Sequence, residues 1–182
     1  MTTTLARTGS ALAAAGLLIG MLSACTPEAE PTPKPTKTAA FASDEEAFAA
    51  AEETYRDYTG AMNAVDLTDP ASFEALYRYS IGDFQAADRR TYSELHAEGL
   101  RMTGEVRLAS FKGLRFDAQE QQVIAHVCVD VSNSDVVNET GQSQVSPDRP
   151  ALNSLMVNFR AQGDAMLIAR AERDESRSCE EQ

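Results

Sequence analysis

The sequence predicts an α+β fold, with N-terminal helices packed on a curved antiparallel sheet of about four strands. Three observations predict it. Apolar residues recur at helical spacing between Asp44 and Glu98, whereas beyond Gly104 the apolar period falls to two. Gly163-Asp164 then forms a tight turn between two such period-two runs. A hairpin makes its strands antiparallel, which excludes a parallel nucleotide-binding sheet. At 182 residues, 43% hydrophobic and 24% charged, the chain has the balance of one globular domain, placed at 41–182.

The elements follow in order. Ser43 and Glu46 make a capping box, and Phe48, Ala51, Tyr55, Tyr58, Met62 and Val65 lie at gaps of three and four, so a helix is expected over 44–65. Asp69-Pro70 supplies an N-cap and an N1 proline for a short second helix through Phe73, Leu76 and Tyr77. A third helix is expected over 82–98, burying Phe84, Ala87, Thr91, Tyr92 and Leu95, and Gly99 ends it. Strands are expected over 105–116, 123–131, 151–161 and 165–172. In the second of these, Val123, Ala125, Val127, Val129 and Val131 share one face, and Ile124, His126, Cys128 and Asp130 share the other. The nineteen residues from Ser132 to Pro150 read as a long loop.

Residues 1–24 read as an export signal. Arg7 precedes an apolar run from Ala11 to Leu22, whose twelve residues at about 1.5 Å each fall short of a hydrocarbon core of roughly 30 Å. Leu22-Ser23-Ala24-Cys25 follows, and this segment resembles the lipobox of bacterial lipoproteins. The resemblance implies that the Cys25 thiol carries lipid and that palmitate-type chains anchor the protein to the outside of the cell membrane. Ordinary cleavage after Ala24 fits less well, because Leu22 is too bulky for a small-x-small site. Two acyl chains meet the condition for stable anchoring. Residues 25–40 hold four of the seven prolines and no large apolar side chain, so they form a disordered spacer. Extended, it spans on the order of 50 Å at about 3.1 Å per residue.

The charge is concentrated in the domain. Arg7, Lys34 and Lys37 take three of the 16 basic residues, and Glu28 and Glu30 two of the 28 acidic ones, which leaves a net charge of -13 for 41–182. Such a surface repels phosphate backbones, so nucleic acid is excluded as an expected partner.

Leading helices with Tyr55 and Tyr58 on one stripe, followed by long antiparallel strands, resemble the nuclear transport factor 2-like superfamily, which includes ketosteroid isomerase-like proteins. The resemblance is architectural and covers about 41–176. It implies a cone-shaped fold with a cavity between helices and sheet, in which enzymes of the superfamily use Asp, His, Tyr and Arg. No catalytic motif aligns, so no catalytic residue is carried over. That superfamily often places a small strand pair between its second and third helices, and here only Leu76 to Ser80 could supply one strand. A cystatin-like helix-on-sheet domain is the alternative.

With Cys25 assigned to lipid, Cys128 and Cys179 remain, and in an exported chain a disulfide between them would pin the C-terminal tail across the sheet. Two free thiols, one buried and one exposed, are the alternative. His126 and Asp130 are the weak candidates for a base and its partner. Tyr92 and His96, four apart on the third helix, join them as a candidate pocket, although packing is the simpler role for each. The two histidines lie thirty residues apart without flanking ligands, so no metal and no cofactor are expected. Asp130, Ser132 and Ser134 open like a calcium loop, but Asp135 and Gly141 stand where glycine and glutamate belong. Asn138-Glu139-Thr140 matches a glycosylation sequon only by pattern. Phosphate loops and serine elbows are missing.

The expectation is therefore a lipid-anchored extracytoplasmic binding or accessory protein, a monomer or homodimer, recognising a small apolar ligand or an envelope protein. The alternatives are a cofactor-independent isomerase, dehydratase or hydrolase, and a purely structural interaction domain.

Overall fold

The computed structural model describes residues 40–179. The expected export signal at 1–24, the expected lipidation site Cys25 and the expected spacer up to residue 39 lie outside the described residues, as do 180–182. The described chain is α+β: three helices, α1 (Asp44–Asn63), α2 (Glu74–Tyr77) and α3 (Gly82–Ala97), precede a larger sheet of β2 (Arg107–Asp117), β3 (Gln122–Asp130), β5 (Leu152–Gln162) and β6 (Ala165–Arg173). These four strands lie in the order β2-β3-β5-β6 with every neighbour antiparallel. A separate two-stranded ribbon joins β1 (Arg101–Gly104) to β4 (Ser134–Val137).

Helix α1 starts where the capping box places it. Ser43 Oγ accepts from the Glu46 amide at 3.2 Å, while Glu46 Oε2 reaches back to the Ala42 amide at 2.7 Å. At its other end Asn63 clasps β2 into place, its amide pairing with both the Val106 carbonyl (2.8 Å) and the Val106 N–H (2.9 Å). The helix ends at Asn63 rather than Val65, and the Val65 N–H closes a tighter last turn on the Met62 carbonyl at 3.1 Å. The expected second helix begins as a 3-10 turn, Pro70–Phe73, capped by Asp69 Oδ1 on the Ala71 amide, and only its last residues are α-helical.

The helices cover one face of the larger sheet. Val123, Ala125, Val127, Val157, Phe159, Met166 and Ile168 point into this interface and are fully buried, each large apolar side chain there contributing roughly 1.5–3 kcal/mol. Tyr55 packs edge-on to Phe159 at 6.4 Å, and Phe111 lies 6.0 Å from the same ring. The space between α1 and the sheet is thus occupied by aromatic rings. Phe48 reaches the sheet only because position 113 is glycine: a Cβ there would collide with the Phe48 ring. On the outer edge, Ser80 makes a parallel bridge to Ile168, so 79–81 lies alongside β6, the Ile168 N–H donating to the Tyr79 carbonyl at 2.9 Å.

Two expectations are corrected. The segment from Ser132 to Pro150 is not a structureless loop, because Ser134–Val137 pairs with Arg101–Gly104. Four residues a strand are too few for a period-two pattern to register, and Gly104 allows the pairing through a positive φ of 72° and the absence of a Cβ against the Asn133 carbonyl. In α3, Thr91 is exposed; Tyr92 is buried and Phe84, Ala87 and Leu95 are half-buried as expected, and Asp88, one turn before Tyr92, joins them.

Candidate functional site

The outer face of the larger sheet carries the first cluster. Period-two alternation turns His126 and Cys128 away from the helices, and cross-strand pairing sets Cys128 between Ser110 and Ser154. The face is closed over by the chain after β6. The Asp174 N–H donates to the Ser154 carbonyl at 2.9 Å, and Asp174 Oδ1 accepts from the Ser176 N–H at 2.9 Å, turning the chain back toward β3. That turn brings Cys179 to Cys128, and the two form a disulfide with Cα atoms 5.7 Å apart, closing a sequence separation of 51. Loop closure of this length contributes roughly 4 kcal/mol by the chain-entropy model.

His126 lies beneath this cover, only 2% exposed. Its Nε2 sits 2.8 Å from Ser154 Oγ and 4.0 Å from Cys128 Sγ. Burial presses the imidazole below its ordinary pKa, and the Asp174 carboxylate partly offsets the effect. Asp174 is itself held down to about 2, first by the Ser176 hydroxyl and then by Arg177, whose Nη1 lies 2.9 Å away. Beside the disulfide a groove of about 520 Å³ opens between Leu152, Ser154, Arg173 at the end of β6, and the tail residues Glu175, Arg177 and Cys179. Its walls mix charged side chains with the apolar Pro150, Ala151 and Leu152.

Asp130 stands at the far end of the same strand. It bonds the Ser132 hydroxyl at 2.6 Å and the Ser132 amide at 2.9 Å, and pairs with Arg107 at 3.0 Å. These contacts, the serine first, hold its carboxyl down at about 2. The calcium-like start of this segment is thus a local turn whose aspartate is satisfied by its own chain.

Tyr92 and His96 belong to the other side of the sheet. Tyr92 is buried, its ring 5.8 Å from Phe73, and His96 Nδ1 lies 2.6 Å from the Leu67 carbonyl oxygen. His96 lines a cleft of about 340 Å³ with Phe73, Tyr77 and Arg89, whose guanidinium stacks over Tyr77 at 4.0 Å. The four residues of the candidate pocket therefore do not converge: His126 lies under the tail, Asp130 at the far end of the same strand, and Tyr92 and His96 on the helix side of the sheet.

A second cluster escaped sequence reasoning. Asp88 on α3 accepts from the Tyr58 hydroxyl of α1, 3.1 and 3.2 Å from its two oxygens. Burial raises the Asp88 carboxyl to about 6, the Tyr58 bond opposing the rise. Burial, followed by the field of Asp88, drives the phenols of Tyr55, Tyr58 and Tyr92 well above their usual range. Chemically this is a carboxyl that gains and loses a proton near neutrality beside hydroxyls that stay protonated. The signal was faint but present: Asp88 lies four residues before Tyr92 on the stripe assigned to the core.

Among the described residues, no helix is long and apolar enough to cross a membrane. No family model matches the chain, and no curated protein matches it. Among solved structures it is similar to Aln2 from a Streptomyces species, at 12% identity and a TM-score of 0.44, over 71% of this chain and 92% of that one. A de novo designed β-sheet protein is similar at 16% identity and a TM-score of 0.30, over 76% of this chain and 95% of the other.

Proposed function

We propose that the chain is a lipid-anchored extracytoplasmic binding protein, tethered through Cys25 and a 25–40 spacer, whose domain engages an envelope protein partner. The observation that carries this reading is Leu22-Ser23-Ala24-Cys25 directly after an apolar run and directly before a proline-rich spacer. A disulfide in the domain fits the oxidising side of a membrane. A protein partner is favoured over a small apolar ligand because aromatic rings occupy the space between α1 and the sheet, while the 520 Å³ groove beside the tail is open and carries Arg173, Asp174, Glu175 and Arg177 next to the apolar Leu152. A nuclear transport factor 2-like relationship remains consistent with helices on one face of a four-stranded antiparallel sheet.

The test places a photo-crosslinking residue at Leu152 or Arg173 in the full-length chain, expressed in a bacterium that processes lipoproteins. The expected result is a discrete adduct with an envelope protein and recovery of the chain in the detergent phase, both lost in Cys25→Ala. A Cys25→Ala chain that still partitions into detergent and crosslinks as before would refute the anchored reading.

Asp88 supports a second reading, a cofactor-independent isomerase, dehydratase or hydrolase with that carboxyl as the base. Turnover of any substrate by such an enzyme would fall by about 10²-fold or more in Asp88→Asn. Unchanged turnover in that variant removes the carboxyl from the mechanism.

A further inference from the structure

We propose that reduction of the Cys128–Cys179 disulfide creates a binding site for a thiophilic divalent ion of the zinc class, formed by both cysteine sulfurs and His126 Nε2. The three ligand atoms already lie within 4.8 Å of one another. A tetrahedral ion with sulfur at about 2.3 Å and imidazole nitrogen at about 2.0 Å requires roughly 3.8 Å between sulfurs and roughly 3.5 Å from nitrogen to sulfur. The present Nε2 to Cys128 Sγ distance is 4.0 Å, so that pair needs to close by only a few tenths of an ångström.

The remaining change falls on the residue best placed to make it. His126 and Cys128 are 2% and 1% exposed and fixed on adjacent outward positions of a central strand. Cys179 is half-buried and sits in the tail beyond the Asp174 turn, where it can draw back from its partner without disturbing the sheet. Ser154 Oγ must rotate off Nε2, a change of one side-chain torsion. Asp174 is taken by Ser176 and Arg177, which leaves the fourth position to water, and the groove lined by Ser154 and Cys179 supplies the path of entry.

The chemistry balances without a further reagent beyond a dithiol. A dithiol reductant transfers two electrons and two protons to the disulfide and becomes a disulfide itself, leaving two thiols on the protein. The divalent ion then displaces those two protons as it binds two thiolates and the neutral imidazole. Disulfide and metal are mutually exclusive occupants of the same sulfurs. This inference does not depend on the anchor or the partner proposed above.

The test uses the full-length chain carrying Cys25→Ser, which removes the third thiol. After reduction with a phosphine and removal of the reductant, the chain is titrated with Co²⁺ without oxygen, while far-ultraviolet circular dichroism follows its fold. The expected result is a sulfur-to-cobalt charge-transfer band with the intense visible absorption of a four-coordinate site, saturating at one equivalent and displaced by Zn²⁺. The disulfide form and Cys179→Ser should lack the band. His126→Ala and His126→Gln should weaken binding on the order of tenfold or more, with an altered visible spectrum. The proposal is overturned if the reduced chain develops no such band at one equivalent, whether it stays folded or unfolds on reduction. It is equally overturned if both His126 variants bind within about twofold of the parent, since the thiols alone would then account for the site. A reduced chain that unfolds and regains its fold with the band on adding Co²⁺ supports it.

Discussion

Asp88 shows how a single side chain couples packing to pH. Its carboxyl ionises at about 6 in the folded chain against an ordinary value of 3.8, because α1 and α3 bury it beside Tyr58. Between those two values the folded chain holds a proton that the unfolded chain has released. Stability from this group is therefore greatest below about pH 4 and declines as pH rises to about 6, beyond which it is flat. Asp130 and Asp174 act in the opposite sense: both sit at about 2 when folded, so their contribution is present above pH 3.8 and is lost as pH falls toward 2. His126, held below 6.5, also favours the folded chain more as pH rises toward that value, with no further gain above it. Asp88→Asn isolates the first effect. The variant should be more stable than the parent at pH 7 by about 1 kcal/mol, a figure reduced because Asp88 is only half-buried and solvent screens it. Urea denaturation at pH 4 and pH 7 checks this; parallel curves for the two proteins would show that the carboxyl is not perturbed. Asp88 was faint in the sequence because an aspartate on a helix usually faces water, even beside an apolar stripe, and its partner Tyr58 lies on another helix.

At the scale of elements, legibility followed the length of the pattern. The α1 cap, the 3-10 turn after Asp69, the end of α3 at Gly99 and the Gly163-Asp164 hairpin each rest on local chemistry, and each lies within two residues of its expected place. The β1–β4 ribbon rests instead on two four-residue segments whose partners are about thirty residues apart, so neither could be read alone. Gly113 has the same character, since its importance comes from Phe48 across the helix–sheet interface. Gly113→Ala should lower stability by about 1–3 kcal/mol as the ring is forced from its seat. Combining it with Phe48→Ala should recover part of that loss, because the collision then disappears. Thermal unfolding of the two variants measures both values, and a double variant no better than the sum of the singles would place the strain elsewhere.

For the molecule as a whole, charge is the dominant surface property. Residues 41–182 carry a net charge of -13, while the ion pairs Arg56–Glu52, Arg89–Glu74 and Arg170–Glu172 are exposed on both sides and contribute little each. Self-repulsion should therefore outweigh attraction. Raising salt from about 10 mM to about 0.3 M, which shortens the screening length from about 30 Å to under 10 Å, should raise the Tm by a few degrees. A lower Tm at high salt would mean that paired charges stabilise the domain more than like charges strain it.

The sequence by itself determined the order of the helices and of the four long strands, the antiparallel sheet, the inward valine face of β3 and the acidity of the domain. These are properties of neighbours along the chain, where periodicity, capping and composition act over a few residues. Tertiary structure alone decided that Tyr92 and His96 lie on one side of the sheet and His126 on the other, that Asp88 meets Tyr58, and that Cys179 returns to Cys128 beside an imidazole. Each of those depends on distance between residues far apart in sequence. Burial and the field of a charge both follow that distance, and the identity of a residue does not encode it.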